Sequence, residues 1–216
     1  MLSASEISVD AMEKTSAIKE PTPFDNYRIF VGIQLPQEVK GALDLWKGSI
    51  QQKLPFHKWT HPQDVHITLH FLGDTSAEVA DTLAADLRQL AAAKQPFTLR
   101  ADGLGVFGSP AAPSILWAGV AGDTTALAEL QHAVVGACAR QGFPAEARAY
   151  RPHITLARRY RAAAGPFQRA ALAVGAPAGG WPAWRVEDIV LYRSHMGRQP
   201  AYEPLGVFPL GGHARG

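Results

Sequence analysis

The chain is poor in the features that stabilise small secreted proteins. It has 216 residues and a single cysteine, Cys138, so neither an internal disulfide nor a multi-cysteine zinc site can form. This composition fits a reducing compartment, and we expect a cytoplasmic protein. Charged residues make up only 19% of the chain and hydrophobic residues 47%, which predicts a globular protein rather than a wholly disordered one.

Long apolar segments are also missing. The longest stretch without a charged residue, 103–122, is interrupted by glycine and proline, so no membrane span is expected. The N-terminus has no apolar core of the kind found in secretory signals. Residues 1–25 carry five acidic residues and two lysines, which leaves the rest of a chain of net charge +2 mildly basic. We predict a flexible leader over 1–25, one domain over 26–210 and a tail over 211–216.

Helical and strand patterns alternate along the domain. The patterns predict strands at 27–35, 65–72, 97–107, 115–120, 153–157, about 185–194 and 202–210. They also predict three helices: one over 36–54, a second that begins at the capping box formed by Thr75 and Glu78, and a third that begins at Asp123 or Thr124. Residues 162–182 are rich in alanine, glycine and proline and predict a connection. This mixture indicates an α+β fold.

One tetrapeptide occurs twice, as the first HITL segment (66–69) and the second HITL segment (153–156). Because side chains alternate along a strand, His66 and Thr68 share one face, and His153 and Thr155 do the same in the second copy. A single His-x-Thr would most often be structural. Two identical copies on predicted strands favour a duplicated fold whose two polar faces meet in a cleft.

The segments around the repeat are similar to a known family. The stretches RIFVGIQLP (28–36), VHITLHFLGD (65–74), YRPHITLARR (150–159) and VEDIVLYRSHMGRQPAYEPLGVFPL (186–210) resemble the RNA 2′,3′-cyclic phosphodiesterases of the 2H phosphoesterase superfamily, also called 2′-5′ RNA ligases. The resemblance implies a bilobal duplicated fold, in which two pseudo-symmetric lobes of antiparallel sheet with flanking helices enclose a central cleft. It also implies that His66 and His153 are catalytic and that Thr68, Thr155 and Arg158 bind the phosphate.

The residue types suit the opening of a cyclic phosphate. Water attacks phosphorus in line with the departing ribose oxygen, so one base and one acid are needed on opposite sides. Histidine, with an ordinary pKa of about 6.5, can serve as either near neutral pH. The residues alone do not separate the two roles. The resemblance implies that His66 protonates the leaving 3′ oxygen and His153 activates water, without a metal or another cofactor.

Two of the proposed binding residues, Arg158 and Tyr150, do not follow from strand alternation alone. Strict alternation from His153 would bring Arg159 to the cleft, so Arg158 requires a bulge or strand end after Leu156, or a side chain that reaches round the edge of the strand. The resemblance favours Arg158, and Arg159 is the alternative. Tyr150 is our preferred residue for stacking on a nucleobase, ahead of the aromatic residues Trp59, Phe107 and Trp117.

Four histidines, His57, His61, His66 and His70, lie close together in the sequence and must be tested as a metal site. His66 and His70 are separated by four residues on one strand, or roughly 13 Å, which is too far for both to bind one zinc ion. His57 and His61 are expected on an exposed loop, and His70 on the cleft face near the substrate. We therefore expect no metal site.

The sequence thus predicts an enzyme that hydrolyses RNA or nucleotide 2′,3′-cyclic phosphates. Its expected partners are RNA ends or nucleotides carrying a cyclic phosphate, and we expect a monomer that does not bind membranes. Two alternatives stay open: a related phosphodiesterase acting on 2′-5′ linkages or ADP-ribose cyclic phosphate, and a non-catalytic protein that binds RNA ends.

Overall fold

The computed structural model describes residues 27–212, so the predicted leader and residues 213–216 of the predicted tail lie outside the described part. Helices and antiparallel strands are mixed along this part, and the predicted α+β class is confirmed. None of its helices is long and apolar enough to cross a membrane. The elements are β1 Tyr27–Gln34, α1 Gln37–Ile50, β2 Phe56–Trp59, β3 His66–Thr75, α2 Ala77–Ala92, β4 Phe97–Gly108, β5 Pro113–Gly122, α3 Thr124–Arg140, β6 His153–Tyr160, β7 Ala183–Val186, β8 Asp188–Ser194 and β9 Tyr202–Pro209.

The strands form one antiparallel sheet with a symmetric order. The order is β7-β4-β5-β6-β3-β1-β8-β9, and β2 pairs with β6. Each half therefore places a HITL strand at the centre of the sheet, followed outward by three strands. The halves meet at a single register pair, Ile67 with Ile154. The two predicted lobes are thus the two halves of one continuous sheet.

The strand predicted over 185–194 is in fact two strands. Glu187 separates β7, which pairs with β4, from β8, which pairs with β1. These partners lie in opposite halves of the sheet, yet only one residue connects β7 to β8. The sheet must therefore curl until its two ends approach each other. A local β pattern cannot show such a change of partner, because the pairing is decided by the tertiary fold.

The helices cover one face of the sheet. The α1 stripe Val39, Leu43, Trp46 and Ile50 is buried as predicted, although the helix ends at Ile50 rather than at 54. This apolar face also buries Ile67 and Leu69 of the first HITL segment and Ile154 and Leu156 of the second. The histidines and threonines of both segments therefore lie on the opposite face, which we call the cleft face.

Helices α2 and α3 begin with ordinary side-chain caps. The side chain of Ser76 accepts a hydrogen bond from the Val79 N–H at 3.3 Å, so the predicted cap at Thr75 is wrong by one residue. Thr75 instead ends β3 and is buried there. Asp123, one of the two predicted alternatives, caps α3 by accepting a hydrogen bond from the Ala126 N–H at 2.9 Å.

Candidate functional site

The two HITL segments lie side by side in opposite directions. The pairing of Ile67 with Ile154 fixes their register. In an antiparallel pair, the residue after one partner lies opposite the residue before the other. Thr68 therefore lies toward His153, and Thr155 lies toward His66. Each imidazole is thus next to the hydroxyl of the other copy, and the two histidines are diagonal neighbours across the centre of the sheet.

Both imidazoles are oriented in the same way by the main chain. Nδ1 of His66 lies 2.7 Å from the carbonyl oxygen of Asp64, and Nδ1 of His153 lies 2.8 Å from that of Arg151. A carbonyl oxygen can only accept, so Nδ1 carries the hydrogen in both rings. This leaves Nε2 of each ring for chemistry. Nε2 of His66 is 3.0 Å from Oγ1 of Thr68.

The surroundings of both histidines favour the neutral form. Burial lowers the pKa of His66 to about 4; the positive charges of Arg158 and His153 also lower it, while the hydrogen bond to the Asp64 carbonyl opposes the change. Burial also lowers the pKa of His153, and the charge of Arg158 acts in the same direction. An uncomplexed protein at neutral pH therefore holds two neutral imidazoles.

A β-bulge follows the threonine in each copy. In the first copy Gly32 pairs with Thr68 and Val31 with His70, so Leu69 is the extra residue. In the second copy the same shift makes Leu156 the extra residue, between Thr155 and Ala157. A bulge reverses which face the following residues occupy.

The second bulge decides which arginine lies on the cleft face. Arg158 occupies that face, and its charge acts on both His66 and His153. Its neighbour Arg159 has a left-handed backbone with a φ of 59° and is exposed. The structure thus contains the bulge that a role for Arg158 requires, while the role itself stays a prediction.

The first bulge overturns the expectation for His70. His70 is only 3% exposed, because it pairs with the core residue Val31 and lies on the helix-covered face. The expectation that it shares the cleft face is wrong, and Phe71 holds the position that corresponds to Arg158. His57 was expected on a loop and instead lies on β2, where it is exposed.

No metal-binding group is found in the described part of the chain. Within residues 27–212, no three histidine, cysteine, aspartate or glutamate side chains gather in an arrangement that suits a metal ion. The site residues that the structure does bring together are imidazoles, hydroxyls and a guanidinium.

Each catalytic candidate is surrounded by aromatic rings. The centroid of His66 lies 4.7 Å from that of Phe30 and 5.0 Å from that of Tyr202. The centroid of His153 lies 4.9 Å from that of Phe107 and 6.3 Å from that of Trp117. Sequence reasoning named Phe107 and Trp117 but missed the rings around His66, which lie on strands distant in sequence. Tyr192 also lies near His66.

Tyr150 is placed beside the site but is already engaged. Its hydroxyl donates a hydrogen bond to the main-chain carbonyl of Thr68 at 3.1 Å. Burial raises the pKa of Tyr150, so the hydroxyl stays protonated and keeps donating. This contact links the segment before the second HITL segment to the first one. That Tyr150 also stacks on a base stays a prediction.

Asp64 is a site residue that sequence reasoning did not identify. Its buried carboxylate accepts hydrogen bonds from the Ala201 N–H, at 2.9 Å to each oxygen, and from the Tyr202 N–H at 3.2 Å. Its main-chain carbonyl accepts from His66. Asp64 therefore joins the start of β9 to the start of β3. The sequence feature that could have identified Asp64 is its position two residues before the first HITL segment.

Curated relatives resemble the chain over most of its length. An RNA 2′,3′-cyclic phosphodiesterase of Geobacillus stearothermophilus is 41% identical over 181 residues, which cover 84% of this chain and 56% of that protein. A Bacillus subtilis protein of the same name is 29% identical and is aligned over 84% of this chain and 95% of its own length. The chain thus spans little more than half of the first relative and nearly all of the second.

Solved structures and a family profile agree with these relatives. The crystal structure of E. coli LigT with 3′-AMP matches with a TM-score of 0.66 at 25% identity, over 86% of this chain and 99% of that one. A crystal structure of a Thermus thermophilus protein matches with a TM-score of 0.69 at 27% identity, over 87% of this chain and 100% of that one. The profile of the 2′-5′ RNA ligase superfamily matches residues 36–198. The chain therefore belongs to the 2′-5′ RNA ligase superfamily.

Proposed function

We propose that this protein hydrolyses 2′,3′-cyclic phosphates of RNA ends or nucleotides to 2′-phosphates by metal-independent general acid and base catalysis. The observation that carries the proposal is the pair of HITL segments at the centre of the sheet, in which a main-chain carbonyl binds Nδ1 of each ring, so that Nε2 is the atom of each ring that can take up a proton. The activity in the names of the curated relatives supports the same reaction.

The proposed step moves one proton on each side of phosphorus. Nε2 of His153 accepts a proton from water as the water oxygen bonds to phosphorus. The bond between phosphorus and the ribose 3′ oxygen breaks, and Nε2 of His66 gives its proton to that oxygen. Residues on opposite strands suit this task, because the attacking and leaving oxygens are in line on opposite sides of phosphorus.

The other cleft-face residues stabilise the charge that develops during the attack. The hydroxyls of Thr68 and Thr155 donate to the non-bridging oxygens, and the guanidinium of Arg158 offsets their negative charge. The substrate anion also favours the imidazolium form of His66, whose pKa is about 4 without it. Substrate binding thus supplies conditions under which one histidine of the pair is charged.

The test is an assay of purified protein in EDTA. The substrates are nucleoside 2′,3′-cyclic phosphates, a 2′-5′-linked dinucleotide and ADP-ribose cyclic phosphate, and the product phosphate is located by ³¹P NMR. We expect cyclic nucleotides to give 2′-phosphates at rates that EDTA does not change. Turnover confined to one of the other two substrates, binding without turnover, or loss of activity in EDTA would each overturn the proposal.

A further inference from the structure

A groove leads away from the cleft face beside the proposed catalytic residues. It is bounded on one side by β2 and β6 and on the other by the segment that connects β8 to β9. Arg158 and Tyr202 line it, and both also belong to the surroundings of His66. A ligand that reaches from the cleft into this groove would therefore stay in contact with the same arginine.

The groove has a positive character. Lys58 and Arg158 are register partners on β2 and β6, so their side chains share one face of the sheet. Like charges directly opposite each other destabilise a sheet. Within the described residues neither cation forms an ion pair, and both are exposed. An anion bound between them would relieve the repulsion.

The facing wall adds a third cation. Arg198 lies on the β8–β9 connection and is 4.0 Å from a carboxylate oxygen of Glu203, a contact made at an exposed position. Asp64 is the one acid among the lining residues, all of which lie in the described part of the chain. Its carboxylate is already bonded to the main-chain N–H groups of Ala201 and Tyr202. The groove is therefore suited to an anion.

We propose that this groove binds the phosphodiester on the 5′ side of the nucleotide that carries the cyclic phosphate. The inference rests on the proposed function and adds a substrate class to it: RNA ends of at least two nucleotides, in preference to cyclic mononucleotides. Lys58 and Arg198 contact this second phosphate, while Arg158 lies between the two phosphates. The partly buried ring of Trp59, which also lines the groove, offers a surface for the preceding base.

Three substrates isolate the second phosphate. They are adenosine 2′,3′-cyclic phosphate, the dinucleotide that carries the same cyclic end, and that dinucleotide with an uncharged methylphosphonate linkage. The wild-type protein should turn over the charged dinucleotide with the highest kcat/KM, and the methylphosphonate, which keeps the preceding base but not the charge, should lose most of the advantage over the mononucleotide. Equal values for the charged and uncharged dinucleotides would overturn the proposal.

Variants then identify the residues. In Lys58→Ala and in Arg198→Ala, the ratio of dinucleotide to mononucleotide kcat/KM should fall roughly 5- to 10-fold, as expected for loss of one charged contact to phosphate. The slope of log kcat/KM against log salt should become shallower by about 0.7 for the dinucleotide. Lys58→Arg should restore most of the ratio. Lys53→Ala, an exposed lysine outside the groove, is the matched control.

The outcomes separate this inference from the proposed function. If the mononucleotide is hydrolysed but the wild type shows no preference for the charged dinucleotide, the groove proposal is wrong and the proposed function stands. The same conclusion follows if the groove variants keep the wild-type ratio or if Lys53→Ala lowers it equally. If none of the three substrates is hydrolysed, the proposed function itself fails.

Discussion

Asp64 holds His66 from two directions. Its main-chain carbonyl accepts a hydrogen bond from Nδ1 of the imidazole at 2.7 Å. Its carboxylate holds the main chain of Tyr202, whose ring centroid lies 5.0 Å from that of His66. One residue thus orients the ring of the proposed acid and places an aromatic neighbour against it.

Asp64→Ala should therefore weaken both the fold and the site. The partly buried N–H groups of Ala201 and Tyr202 lose their acceptor, which should lower the free energy of unfolding by about 1–3 kcal/mol. Because Tyr202 borders His66, kcat/KM for a cyclic nucleotide should fall as well. Urea unfolding and steady-state kinetics measure the two effects. Asp81→Ala, an exposed aspartate on α2, is the control. Equal stability in the two variants would contradict the assigned role.

Replacing either imidazole should remove one proton transfer. His66→Ala and His153→Ala should each lower kcat by roughly 10²–10⁴-fold while the protein stays folded. His132→Ala, an exposed histidine on α3, should keep wild-type kinetics. Circular dichroism confirms folding of each variant before its rate is measured. A folded His66 or His153 variant with a near-normal rate would place the reaction at another site.

The two threonines should have smaller effects than the histidines. Thr68→Val and Thr155→Val each remove a hydroxyl from the cleft face, and Oγ1 of Thr68 is 3.0 Å from Nε2 of His66. Loss of one such hydrogen bond corresponds to about 1 kcal/mol, so kcat/KM should fall roughly 5- to 10-fold. Thr→Ser changes at the same positions keep the hydroxyl and should restore most of the activity. Valine variants with unchanged kinetics would make the hydroxyls structural.

The repeat was readable from the sequence because it depends only on local alternation. His66, Thr68, His153 and Thr155 occupy the predicted strands on one face. The bulge at Leu69 could not be predicted in this way, because one extra residue does not visibly change the polar and apolar alternation of a short strand. The expectation for His70 was wrong for that reason. The corresponding bulge at 156 explains why the choice between two arginines stayed open.

Long-range contacts were likewise invisible in the sequence. The aromatic ring of Tyr202 reaches His66 only because β9 follows β8, which pairs with β1. The carboxylate of Asp64 bonds to main-chain groups 137 and 138 positions away. The break at Glu187 depends on two strands pairing at different ends of the sheet. Such features follow from the assembled fold and not from the neighbouring residues.

Gly105→Ala should disturb the aromatic wall beside His153. Gly105 pairs with Trp117, and a Cβ at this position would lie 2.1 Å from the indole ring, so the ring must move. Overpacking of this kind costs roughly 1–3 kcal/mol of unfolding free energy. Because the indole borders His153, kcat/KM should also fall. Thermal unfolding and kinetics measure both effects.

The matched control for this change should raise the free energy of unfolding instead of lowering it. Gly136 lies at an exposed position inside α3 with no atom within 4 Å of an added Cβ. Gly136→Ala should therefore stabilise the protein by about 0.4–1 kcal/mol, because alanine reduces the freedom of the unfolded chain. If the free energy of unfolding of Gly105→Ala were as high as that of Gly136→Ala, the packing argument would be contradicted.

The final prediction concerns pH. Burial lowers the pKa of His66 to about 4 and also lowers that of His153. Below the lower apparent pKa both imidazoles are charged and no base remains; above the upper one both are neutral and no acid remains. The profile of kcat/KM, which reports the free enzyme, should therefore be bell-shaped with its maximum on the acid side of pH 6.5.

Replacing Arg158 tests whether this pH profile moves in the direction that the electrostatics predict. Its positive charge lowers the pKa of both histidines, so Arg158→Gln should move both limbs of the bell to higher pH in the activity that remains. Arg169→Gln, an exposed arginine away from the cleft, is the control and should leave the limbs in place. The measurement is a pH series on a cyclic mononucleotide, run with and without EDTA. A wild-type rate that rises steadily into alkali and disappears in EDTA would indicate a metal-bound hydroxide, and the two-histidine mechanism would then be wrong.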